Sequence, residues 1–195
     1  HGVDDVAFLN TLIDSMLSHY AVDAERVFIT GISNGAMMAY RAAADLSERI
    51  AGIAPIAGAI GGSPPDSDAS YVIPPPSQPV AVIDFHGQQD QNVLYGGGVG
   101  PESMEAGRFD MSVADSLAFW VEANGCSGES EVETLADDNV LIERYLSCQA
   151  PVVLVTVVDG GHAWPGGAGR LLGDAPTQDI SASEMMLQFF LGLGD

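Results

Sequence analysis

The sequence predicts an α/β domain in which a mostly parallel sheet is flanked by helices. Near-continuous apolar runs at residues 50–57 (IAGIAPIA), 80–85 (VAVIDF) and 152–158 (VVLVTVV) read as strands covered on both faces, the pattern of a parallel sheet. Segments with helical apolar spacing alternate with them, at 4–20, after Ser33, at 110–122 and at 181–191. The loops that follow strands carry Ser33, Asp90 and His162, and reactive groups in such sheets lie beyond the carboxyl ends of the strands.

Residues 4–20 place Val6, Leu9, Ile13, Met16 and Tyr20 at helical spacing with Leu12 and Leu17 beside them, an apolar stripe that needs a sheet to lie on. The stretch 26–41 (RVFITGISNGAMMAYR) then reads as a strand, a tight turn and a helix. G-x-S-x-G in that setting is a nucleophile elbow, a strained turn that lifts the hydroxyl of Ser33 above the sheet. With 23 glycines in the chain the pattern could arise by chance, and it is the strand before and the helix after that favour the elbow. A side chain at Gly31 or Gly35 is expected to collide with the neighbouring strand or helix.

Residues 58–79 are rich in Gly, Pro, Ser and Asp with little periodicity, and predict a long surface loop that shapes a pocket. Residues 96–100 read as a second flexible loop, followed by a helix over 110–122 with Asp110 as its N-cap. Segments 131–135 and 140–145, split by Asp137-Asp138-Asn139, predict a hairpin bracketed by Cys126 and Cys148. Ser181 and Glu184 have capping-box spacing at the start of the last helix.

The 195 residues, 47% of them hydrophobic, suffice for one well-buried domain spanning 1–195, and length gives no reason to posit two. Six Arg, no Lys and 27 acidic residues give a formal charge of -21, which repels nucleic acid and anionic membranes. No apolar run approaches the roughly 20 residues of a membrane span. The acidity fits adaptation to high salt or an acidic secreted protein of an Arg-favouring lineage, and composition does not separate the two. Cys126 and Cys148 lie outside any C-x-x-C or histidine cluster, so no metal or cofactor is expected; a structural disulfide, and with it an oxidising compartment, is favoured over two free thiols.

A serine hydroxyl needs a base within reach to accept its proton. Of four histidines, His1 is terminal, His19 lies near the end of the first helix, and His86 at a strand end is expected to bond the loop backbone. His162 remains, in a glycine-flanked loop. Its carboxylate should fall between Ser and His in the chain order of α/β-hydrolases, and Asp90 fits because it ends a strand loop; Asp84 within a strand and Asp110 at a cap are weaker candidates, and Asp159 is too close in sequence. The backbone N–H of Asn34 is the expected first oxyanion donor. The second normally comes from the loop of an earlier strand. That places it before His1 in a piece lacking the usual N-terminal strands, or leaves the task to another group in a pared-down hydrolase.

The segments GVDDVAFLNTLID, RVFITGISNGAMMAYRAA, HGQQDQNV and GGHAWPG together resemble the esterase family that includes secreted polyhydroxybutyrate depolymerases and feruloyl esterases. The likeness runs over nearly the whole chain. It implies an α/β-hydrolase fold, cleavage of carboxylic esters without metal or cofactor, and Ser33, Asp90 and His162 as the triad. It also implies a disulfide near Cys126 and Cys148, and a place for Trp164 along the acyl or aromatic site, with a loop-packing tryptophan as the alternative. Family members normally carry further N-terminal strands, and no substrate-binding domain or aromatic-rich linker is visible. The expectation is a secreted serine esterase acting on feruloyl-type or short-chain acyl esters. A polyhydroxyalkanoate depolymerase, a peptidase on the same fold and a non-catalytic binding module are the rivals.

Overall fold

The computed structural model describes residues 3–64, 69–103, 107–169 and 174–193; His1 and residues 65–68 of the Gly- and Pro-rich loop lie outside them. Helix α1 (Asp5–His19) leads to strand β1 (Phe28–Ile32), helix α2 (Asn34–Asp45) and strand β2 (Gly52–Ile56). Two short strands follow, β3 (Gly61–Ser63) and β4 (Tyr71–Val72), then β5 (Ala81–Gly87), β6 (Gly98–Val99) and β7 (Phe109–Asp110). Helix α3 (Val113–Ala123), strands β8 (Ser130–Leu135), β9 (Val140–Tyr145) and β10 (Val152–Val157), and helix α4 (Ala182–Leu191) complete the chain.

The main sheet has the order β1-β2-β5-β10-β9-β8. Its first four strands are parallel, in register Phe28↔Gly52, Ile53↔Val82 and Val82↔Val152, while β9 runs antiparallel to β10 and β8 antiparallel to β9. The three apolar runs are β2, β5 and β10, each buried along its whole length, as strands covered on both faces must be. Because side chains alternate across a strand, Ile53, Val82 and Leu154 face α2 and α3, packing with Tyr40, Leu117 and Trp120. Ile56, Ile83, Phe85 and Val155 face α4 and pack with Met186 and Phe190. Cys126 and Cys148 form a disulfide that brackets the β8–β9 hairpin.

Four local expectations change. Helix α1 forms, with Asp4 Oδ1 accepting from the Ala7 N–H at 2.9 Å, but none of its residues is buried and Phe8, Leu12 and Met16 are exposed. The sheet ends at β1, so the apolar stripe borders a trough of about 530 Å³ against β1 instead of lying on further strands. The loop 58–79 contains β3 and β4, and the glycine-rich loop 96–100 contains β6; with β7 they make a second sheet, β4-β3-β7-β6. Backbones this close require glycine, since a Cβ at Gly61 would run into Tyr71 O and one at Gly62 into Phe109 O. Asp110 closes β7 with its carboxylate 2.9 Å from Arg108 Nε, and Ser112 caps α3 instead, accepting from the Asp115 N–H at 3.0 Å. At α4 the expected cap is present, with Ser181 Oγ accepting from the Glu184 N–H.

Candidate active site

Ser33 occupies the single residue between β1 and α2, with φ 58° and ψ -121°, a conformation that L residues rarely adopt. Its N–H donates to Ile56 O at 2.9 Å and its carbonyl accepts from the Met37 N–H at 3.0 Å, so the turn is fixed from β2 and from within the helix. A Cβ at Gly31 would come within 2.6 Å of the Gly35 carbonyl carbon, which is why the first glycine of the motif is required. Gly35 departs from expectation: a Cβ there would meet nothing within 4 Å. Its own backbone is what Gly31 needs room to approach, while its side-chain direction is open.

Asn34 is the first residue of α2, and the first N–H groups of a helix have no partner within it. The N–H of Asn34 is thus one of the groups at the positive end of the α2 dipole, next in sequence to Ser33.

Asp90 sits three residues beyond β5 and is buried to 1% exposure. Its Oδ1 accepts from the backbone N–H groups of Asn92 at 2.8 Å and Val93 at 2.9 Å, folding the loop around the carboxylate. Its Oδ2 lies 2.6 Å from His162 Nδ1. A carboxylate oxygen with this partner is the acceptor, so Nδ1 donates and Nε2 is left with the free lone pair. His162 is 2% exposed and belongs to the loop after β10, the strand that neighbours β5. Among the described residues Ser33 Oγ makes no hydrogen bond, so the structure joins Asp90 to His162 and leaves the serine hydroxyl free at the same carboxyl edge.

The His162 loop is held by a residue that pattern reading missed. The Asp174 carboxylate accepts from the His162 N–H at 2.6 Å, and the absence of a side chain at Gly161 makes room for it. Asp174 lies in an aperiodic stretch, and the only sequence signal was the paired glycine before the histidine. Trp164 packs against the core on the α4 side and donates its indole N–H to Ser183 Oγ at 3.2 Å, leaving the ring half-buried. His86 donates from Nε2 to Val93 O at 2.9 Å, as its place at a strand end suggested.

Asp84 is not at the catalytic edge. It lies inside β5, fully buried, with Oδ2 receiving the Tyr40 hydroxyl at 2.6 Å. Burial pushes its pKa up to about 6, against the opposing effects of His86 and of the Tyr40 hydroxyl. Tyr40, itself buried beside this carboxyl, is raised well above the usual phenol range.

The chain is similar to known proteins over most of its length. The phospholipase/carboxylesterase family matches residues 4–99. Feruloyl esterase B of Piromyces equi is 30% identical over 162 residues, covering 82% of this chain and 29% of that protein. The chain has the α/β-hydrolase fold and is similar to the esterase family of that fold. Within that family, a putative esterase of Nocardia uniformis subsp. tsuyamanensis, NocK, is 27% identical over 208 residues, 96% of this chain and 57% of the relative. The chain thus spans less than two thirds of the length of these relatives. Acetyl xylan esterase from Aspergillus awamori has the same fold, with a TM-score of 0.58 at 15% identity over 94% of this chain and 66% of that one.

Proposed function

We propose that this α/β-hydrolase is a serine carboxylic-ester hydrolase that works through an acyl-enzyme. The observation that carries the reading is the 2.6 Å bond between His162 Nδ1 and Asp90 Oδ2 at the edge of the sheet where the strained Ser33 turn also ends. In this reading His162 Nε2 removes the Ser33 proton as Oγ attacks the ester carbonyl, and Asp90 stabilises the imidazolium that results. The N–H of Asn34 faces the oxyanion. Collapse of the tetrahedral intermediate expels the alcohol, which takes its proton from His162; water then enters by the same route and frees the acid. The contact from Oγ to Nε2 closes when substrate is bound, as catalytic hydrogen bonds commonly tighten in the Michaelis complex.

A cleft of about 270 Å³ begins one helical turn from Ser33, where Met37 forms a wall together with Ile60, Ile73, Tyr71 and Phe109. We assign the apolar arm of the substrate to it, with the half-buried Trp164, two residues past His162, as a second surface for an acyl or aromatic group. The names of the relatives, feruloyl and acetyl xylan esterases, favour aromatic or short acyl groups over solid polyesters. The disulfide favours an oxidising, extracellular setting.

The test is an assay of p-nitrophenyl acetate, p-nitrophenyl butyrate and methyl ferulate beside a peptide anilide, with fluorophosphonate labelling of wild type and Ser33→Ala. Ester turnover and labelling that vanish in Ser33→Ala support the reading. Peptide cleavage without ester cleavage would make the chain a peptidase, and labelling retained in Ser33→Ala would remove Ser33 as nucleophile. Phe109→Ala should raise KM for the longer ester severalfold with kcat little changed.

A further inference from the structure

His86 Nδ1 is one of the few buried side-chain polar atoms with no hydrogen-bond partner among the described residues. Leaving such an atom unpaired costs about 1–3 kcal/mol. The ring is 2% exposed and well fixed, with its edge against the Tyr95 ring at 5.8 Å between centroids, while Tyr95 is tied to Thr156 Oγ1 at 2.9 Å. Thr156 is the register partner of His86 across the β5–β10 ladder, so the ring is held from the sheet and from the loop alike.

What this orientation secures lies on the other nitrogen. Nε2 donates to Val93 O at 2.9 Å, and a carbonyl oxygen only accepts, so Nε2 carries a hydrogen. The same Nε2 stands 3.5 Å from Asp90 Oδ2, the oxygen that receives the proton of His162 Nδ1. Val93 in turn donates its own N–H to Asp90 Oδ1 at 2.9 Å. One N–H of His86 therefore closes the loop that wraps the carboxylate, and the same nitrogen lies beside the carboxylate oxygen used by His162. The opposite ring orientation would pair neither.

We infer that His86 is a positioning residue for the Asp90–His162 pair, its Nε2–H fixing both the Val93 turn and the Oδ2 oxygen that holds the His162 imidazole. The inference deepens the esterase reading and rests on it for its kinetic part. In the wild-type protein, ¹⁵N–¹H correlation spectra should show a proton on His86 Nε2, with the His162 Nδ1 proton as a separate downfield signal. In His86→Phe, which keeps a ring but has no N–H, that downfield signal should broaden or move, and kcat should fall on the order of 10²-fold with KM within a few-fold, since small misplacements of reacting groups cost about that much. His86→Gln can extend an amide N–H toward Val93 O and should recover most of kcat. Leu117→Ala, a core change in α3 outside that loop, controls for lost stability and should keep kcat at a temperature where it remains folded.

A wild-type His86 with its proton on Nδ1 overturns the inference. So does a folded His86→Phe with unchanged kcat and an unchanged His162 signal, or a kcat loss that Leu117→Ala reproduces. Turnover that survives Ser33→Ala instead sinks the esterase reading, while the His162 signal still reports whether His86 positions the pair.

Discussion

Asp90 and His162 stand 72 residues apart in sequence and 2.6 Å apart in space, both buried, with the carboxylate already holding two backbone N–H groups. Such a carboxylate can only accept, so it dictates that the imidazole presents Nε2 as the base. Asp90→Asn puts an amide in its place, which can offer N–H to Nδ1 and invert the tautomer. We expect kcat for ester hydrolysis to fall about 10⁴-fold, with a far-UV circular dichroism spectrum like that of the wild type. A fall of less than tenfold would mean that another group orients the histidine.

Ser33 holds φ 58° and ψ -121° because the turn from β1 into α2 allows nothing else, and a non-glycine residue held there costs on the order of 1–3 kcal/mol. Ser33→Gly should therefore raise the melting temperature while abolishing turnover, and Ser33→Ala should abolish turnover with little change in melting. If Ser33→Gly melts at or below the wild-type temperature, the serine carries no backbone strain.

The elements that position the site could be read because each is fixed by local chemistry. Apolar runs long enough to be covered on both faces gave β2, β5 and β10, and the glycine before Ser33 gave the elbow, where the structure shows Gly31 packed on the Gly35 backbone. Chain order admitted both Asp84 and Asp90, and the place of Asp90 in the loop after the strand singled it out over Asp84, which lies inside it. The second sheet was not legible, because β3, β4, β6 and β7 are two or three residues long and are held by pairing between segments distant in sequence. Asp110 looked like a cap by residue type, but pairing with Arg108 and the β3 and β6 ladders draws it into β7 and leaves Ser112 to start α3. Asp174 was invisible for a similar reason, since only the tertiary path of its loop brings it to the His162 backbone.

The Cys126–Cys148 bond joins the end of α3 to the segment that feeds β10, across 22 positions of sequence. Closing such a loop stabilises by about 3 kcal/mol in the chain-entropy model. Cys126→Ser with Cys148→Ser, or wild type in reductant, should melt roughly 6–12 °C lower. At 20 °C, kcat/KM should match the oxidised protein because neither cysteine touches the Asp90–His162 pair. An unchanged melting temperature under reductant would show that the disulfide does not contribute.

Asp84 gives the fold a pH dependence whose sign can be worked out. Its folded pKa of about 6 is raised from the usual carboxylate value of 3.8, so the folded state favours the protonated form. That contribution to stability is fully present below about pH 3.8 and is lost as pH rises through about 6; above that the chain carries a buried charge beside His86 and the Tyr40 hydroxyl. Asp84→Asn keeps an oxygen for Tyr40 and is neutral at every pH. The variant should therefore be more stable than wild type at pH 8, by an amount on the order of 3 kcal/mol, and the difference should shrink toward zero by pH 4. Taking the difference between variant and wild type at each pH cancels the other titrating groups. A gap in melting temperature that is the same at pH 4 and pH 8 would mean that Asp84 titrates alike in the folded and unfolded chain.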